Sequence, residues 1–116
     1  MKKLLLLTLT LLTLCLAVNA FAAGDLSGVI VYPNPFNFAK GHTTITFANL
    51  TNDVVVKIYK MNGELVKKIE DTNTGGTIAY WNVTNNSGKK LGAGTYVYLI
   101  TNSAGQKAKG KIAVIK

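Results

Sequence analysis

Arginine is absent from this chain of 116 residues, so lysine alone supplies its positive charge, thirteen residues against five acids. A guanidinium's planar fork is the usual reader of guanine edges and paired phosphates. A basic chain without one argues against nucleic acid as a partner. Cysteine is nearly absent too: Cys15 is the only one, and it excludes an internal disulfide and any thiolate cluster. The acids are few, namely Asp25, Asp53, Glu64, Glu70 and Asp71. Only Glu70 and Asp71 are adjacent, and neighbours in extended chain point to opposite faces. Paired-carboxylate catalysis needs two acids facing one substrate. The single histidine, His42, has no carboxylate close to it in sequence and reads as an exposed loop residue. No catalytic residue, metal site or cofactor is expected, and the chain reads as a non-enzyme.

The one long apolar run stands at the N-terminus. Met1-Lys2-Lys3 is a short positive segment, Leu4 to Val18 is apolar and threonine only apart from Cys15, and small residues follow to Ala23. This three-part design is that of a secretory signal peptide. At about 15 residues the run is shorter than the roughly 20 a spanning helix needs. Cleavage is expected after Ala20 or Ala22. The predicted organisation is a signal peptide over 1–22, a short linker over 23–28 and one β-domain over 29–116. Losing Lys2 and Lys3 leaves eleven lysines against five acids, a net charge of +6. The destination is export, to the periplasm, the outer surface or the medium.

Helical periodicity is missing after residue 24. Short β-rich runs with turn residues between them recur instead, and seven strands are predicted: Val29–Tyr32, Thr43–Phe47, Val54–Tyr59, Glu64–Ile69, Thr77–Trp81, Thr95–Thr101 and Lys107–Ile115. Pro33-Asn34-Pro35 lacks two amide donors and cannot continue a central strand, so it should end the first strand or switch it between sheets. Met61-Asn62-Gly63 predicts a type I′ hairpin. In the last strand Lys107, Lys109 and Lys111 alternate with Ala108, Gly110 and Ile112, which leaves one face wet. In Glu64–Ile69, Lys67 interrupts the apolar face of Leu65 and Ile69, and a bulge there would restore the pattern. The fold class is all-β, a seven-stranded antiparallel immunoglobulin-like β-sandwich.

Two constellations invite a binding role. The loop Trp81 to Gly88 is rich in Asn and Ser oxygens but has no carboxylate, which disfavours calcium and favours a self-bonding turn. Among the aromatics, Tyr80 and Trp81 are neighbours in a strand. One should face the core and the other solvent, where it is a candidate sugar-stacking residue.

From Val31 onward the chain resembles a known family. Val31-Tyr32-Pro33-Asn34-Pro35-Phe36-Asn37, Thr43-Thr44-Ile45-Thr46-Phe47, Val56-Lys57-Ile58-Tyr59, Asn62-Gly63-Glu64-Leu65-Val66, Trp81-Asn82, Asn86 to Lys90, Gly94-Thr95-Tyr96 and the closing Lys111 to Lys116 follow one another in order. Together they are similar to the immunoglobulin-like domain shared by type IX secretion C-terminal sorting domains and the flagellar hook-capping protein. The resemblance implies that Pro33, Asn34, Pro35, Gly94, Tyr96 and Lys116 belong to a surface read by the outer-membrane secretion machinery. It implies a sorting or surface-display module, here with no cargo ahead of it but the signal. The alternatives are a small extracellular binding module for an anionic cell-surface glycan or a protein partner, and a structural component of an envelope or hook-cap-like assembly.

Overall fold

The computed structural model describes residues 25–70 and 77–116, so the signal-peptide reading and its cleavage sites at Ala20 and Ala22 lie outside the described residues. Two sheets face each other. The smaller has three strands, β1 (Ile30–Tyr32), β3 (Ile45–Ala48) and β6 (Ala79–Trp81), in the order β1-β3-β6. The larger runs β2-β8-β7-β4-β5, built from β2 (Phe36–Asn37), β4 (Val55–Lys60), β5 (Leu65–Ile69), β7 (Gly94–Thr101) and β8 (Lys107–Ile115). This is an immunoglobulin-like β-sandwich. The described residues form eight strands, one more than expected, because the two-residue β2 pairs in parallel with the end of β8.

Alternation decides the inner faces, as expected of half-buried strands. Val56 and Ile58 of β4 are fully buried while Val55, Lys57 and Tyr59 between them are half-exposed. On β8, Ile112 and Val114 point inward and Lys107, Lys109 and Lys111 outward. The anticipated irregularity in the fourth predicted run is real. The β4–β5 register shifts between Ile58 and Tyr59, which turns Val66 into the core and leaves Lys67 opposite Ile58. The far edge of β5 is closed by a single residue. Asn86 donates its backbone N–H to the Val66 carbonyl at 3.0 Å, and its Oδ1 accepts the Lys68 N–H at 3.1 Å. One asparagine thus replaces a strand at the point where an unpaired edge invites aggregation.

The core lies between the sheets, with Trp81, Phe36, Phe47, Ile45, Ile58, Ile100 and Ile112 as its largest buried side chains. Burying an aliphatic or aromatic side chain contributes about 1.5–3 kcal/mol each, and here no disulfide shares the task.

Three turns have one geometry, and it is not the predicted type I′. In Lys60–Gly63, Asn85–Gly88 and Asn102–Gly105 the fourth residue's N–H bonds back to the first residue's carbonyl at 2.9–3.1 Å. The closing glycine takes a φ of 81–90° in each. A type I turn followed by a left-handed residue makes a three-residue hairpin loop with a bulge. Asn62 keeps negative φ because its Oδ1 caps the Glu64 N–H at 3.0 Å.

Candidate functional site

The Pro-Asn-Pro segment carries the chain from one sheet to the other, from β1 to β2. Asn34 fastens this crossover to β8. Its Nδ2 donates to the Lys111 carbonyl at 2.9 Å, and its Oδ1 accepts the Ala113 N–H at 3.1 Å. A side-chain amide here has the donor and acceptor of a peptide unit and fills the place of a strand residue. Immediately beyond it, Phe36 pairs with Val114, which pairs in turn with Gly94 of β7. Tyr96 lies opposite Ile112. Lys116 follows, and with Phe38, Ala39, Lys90, Leu91 and Gly92 it lines an open hollow of about 500 Å³. The Lys90 ammonium sits 5.9 Å from the centre of the Phe38 ring in that hollow. Six residues from three distant stretches of sequence therefore meet at the C-terminal half of one strand.

They do not all meet solvent. Tyr96 is buried, with its ring edge-on to Trp81 at 6.0 Å between centres and its hydroxyl donating to the Gly92 carbonyl at 2.7 Å. Its expected place on an exposed surface is therefore corrected: the ring anchors the loop before β7 from below. Trp81 is corrected in the same way as a candidate for exposed binding. It is 1% exposed, and its indole N–H is satisfied by the Thr84 carbonyl at 2.8 Å. Tyr80 is the outward neighbour at 55% exposure. It shares a cross-strand row with Thr46 and with Tyr32, which is 49% exposed. His42 also departs from its reading as an exposed loop residue. It is half-buried, its Nδ1 accepts the Asn37 N–H at 2.9 Å, and its ring packs 5.8 Å from that of Phe36, so it braces the crossover.

The polar loop is a self-bonding turn. Asn85 Oδ1 accepts from the N–H groups of Ser87 and Lys89 at 3.0 Å each, Asn82 Oδ1 accepts the Thr84 hydroxyl at 2.5 Å, and Asn86 Oδ1 serves β5. Each of these oxygens has a protein donor already.

The outer face of the larger sheet is positive. Cross-strand rows read Tyr59–Val97–Lys111, Lys57–Leu99–Lys109 and Val55–Thr101–Lys107, with Lys68 beside Lys57. Glu70 lies at the margin, its carboxyl held below the usual range by the hydrogen bond and charge of Lys68, 2.8 Å away. On the inner face, burial pushes the Tyr98 phenol up. That ring packs edge-on to Phe47 and lies directly over Gly110.

The model of the secretion system C-terminal sorting domain matches residues 30–116. The chain belongs to this family. Its fold is also that of the matching part of PorZ, an essential bacterial surface component of the type IX secretion system of Porphyromonas gingivalis. The two are 28% identical, with a TM-score of 0.69 over 83% of this chain and 12% of PorZ. Dimeric latent PorU of the same organism is 27% identical, with a TM-score of 0.56 over 82% of this chain and 10% of PorU. The sorting domain thus spans only about a tenth of either solved relative. No curated protein matches it. Membership places the protein among secreted or cell-surface proteins, and no helix of the described residues is long and apolar enough to cross a membrane.

Proposed function

We propose that this sorting domain acts as a non-enzymatic export and surface-display module, and that the secretion machinery of the outer membrane reads the surface around the C-terminal half of β8. The carrying observation is the convergence there of Pro33, Asn34, Pro35, Gly94 and Lys116 about one strand. Family membership and the two type IX neighbours support the same reading. The residues divide into two roles in this proposal. Lys116 presents its charge at the surface, while Asn34 clips the crossover to β8 and Tyr96 holds the Gly92–Gly94 loop in place from the core.

Residues 23–116 placed behind a reporter with its own export signal, in a host with a type IX system, test this. The reporter reaches the cell surface, and Lys116→Ala keeps it in the periplasm while leaving the melting temperature of the domain within about 2 °C, as a surface substitution should. Tyr96→Phe retains export, because only the buried bond to Gly92 is lost. A reporter that stays periplasmic with the intact domain sinks the proposal. Export unchanged in Lys116→Ala removes that residue from the surface being read.

A further inference from the structure

β8 is bordered on one side by β7 from Lys107 to Val114 and on the other by β2 only at Val114 and Ile115. Asn34 occupies the next stretch of that second side, at Lys111 and Ala113. Because the β7–β8 register runs unbroken from Gly94–Val114 to Thr101–Lys107, backbone groups alternate sides without a slip. The Lys111 carbonyl and the Ala113 N–H point away from β7. The N–H and carbonyl of Lys107 and Lys109 therefore point the same way, and no hydrogen bond among the described residues takes them. Among the described residues this is an open strand edge over Lys107 to Gly110, about 14 Å at roughly 3.4 Å per residue.

The edge is not neutral. Lys107, Lys109 and Lys111 all project to the outer face, about 6.8 Å apart at two residues per repeat, and no ion pair of the described residues uses them. We propose that the open edge of β8 takes an added strand from a partner protein, an extended segment with an acidic residue at every second position. Such a segment has the same 6.8 Å spacing of charges, and its carboxylates would stand in cross-strand register with Lys107 and Lys109, with Lys111 adding its charge at the closed end. Main-chain bonds to Lys107 and Lys109 supply the attachment and the alternating acids the selectivity. The lysines also exclude the obvious competitor. A second copy of this edge would set lysine against lysine, and like charges directly opposed are destabilising. The edge is thus closed to itself and open to an acidic strand.

The inference goes beyond the sorting reading, and its test needs no export, so the two fail separately. The isotope-labelled protein is titrated with an eight-residue peptide alternating valine and glutamate, and with the same peptide N-methylated at its central amides. The first peptide shifts the amide resonances of Lys107 and Lys109 and slows their hydrogen exchange. N-methylation, which keeps every charge but removes the donors, weakens binding at least tenfold. Lys107→Gln with Lys109→Gln weakens it about tenfold as well, at roughly threefold for each cross-strand pair, and those substitutions leave the fold intact. Equal binding of the two peptides, or shifts centred on Lys57 and Lys68 instead of the edge, would show a charged face without strand addition and overturn the proposal. So would the absence of any shift at Lys107 and Lys109.

Discussion

The two halves of β8 have the same neighbour on one side and opposite fates on the other. From Lys111 onward the strand is bordered by Asn34 and then β2, and its inward residues Ile112 and Val114 are buried. From Lys107 to Gly110 no strand of the described residues borders the second side, and the inward residues are the small Ala108 and Gly110. Tyr98 makes up for them by laying its ring across Gly110 and against Phe47. One half is secured by what it buries, the other by what its neighbour lends it. The pairing of an edge is therefore set by what the crossover before it supplies, and not by the β-propensity of the strand itself.

That contrast can be broken in graded steps. Ile112→Ala leaves a cavity in the bordered half and should cost about 2–5 kcal/mol, read as a lower midpoint in urea with an unchanged slope. A loss below 1 kcal/mol would mean that the bordered half does not depend on its core. Gly110→Ala attacks the open half. A β-carbon there would stand 2.5–2.7 Å from the Tyr98 ring, and forcing the ring off Phe47 should cost about 1–3 kcal/mol. If Gly110→Ala melts like the parent, the ring is not what holds that half. Asn34→Ala is the mildest. Its two hydrogen bonds to β8 are solvent-exposed, so together they are worth about 1 kcal/mol, at about 0.5 kcal/mol each, the low end for a hydrogen bond. Faster amide exchange at Ala113 with little change elsewhere is its signature. Global exchange as fast as that of Ile112→Ala would erase the distinction between clip and core.

Some of this was legible in the sequence. Three lysines at every second position marked β8 from Lys107 to Ile115 to the residue, because period-two patterning needs only one dry face. The Pro-Asn-Pro crossover followed from missing amide donors, and the bulge near Lys67 from a charge in an apolar phase. β2 was invisible, since two residues carry no period and its parallel partner lies 78 positions later. The turn type was misread because Asn-Gly suits two geometries, and the Asn62 side-chain cap on Glu64 selects between them. Tyr80 and Trp81 could not be sorted by alternation within a strand of three residues. The Thr84 carbonyl that satisfies the indole belongs to a loop whose path the sequence does not reveal. Resemblance named the candidate site residues, but that Tyr96 is buried while Lys116 is exposed is a matter of packing.

In the larger sheet, β8 lies inside the order of strands, between β2 and β7, although it comes last in chain order of the eight described strands. Among the described residues β2 has no other strand partner, so its pairing waits for Val114 and Ile115. Closing so long a loop late in synthesis makes the finished sheet a report that residues 107–115 have arrived. A chain interrupted before them leaves β2 without its strand partner and Asn34 without its two backbone bonds. Anything translated ahead of such a domain is complete by the time the domain can fold.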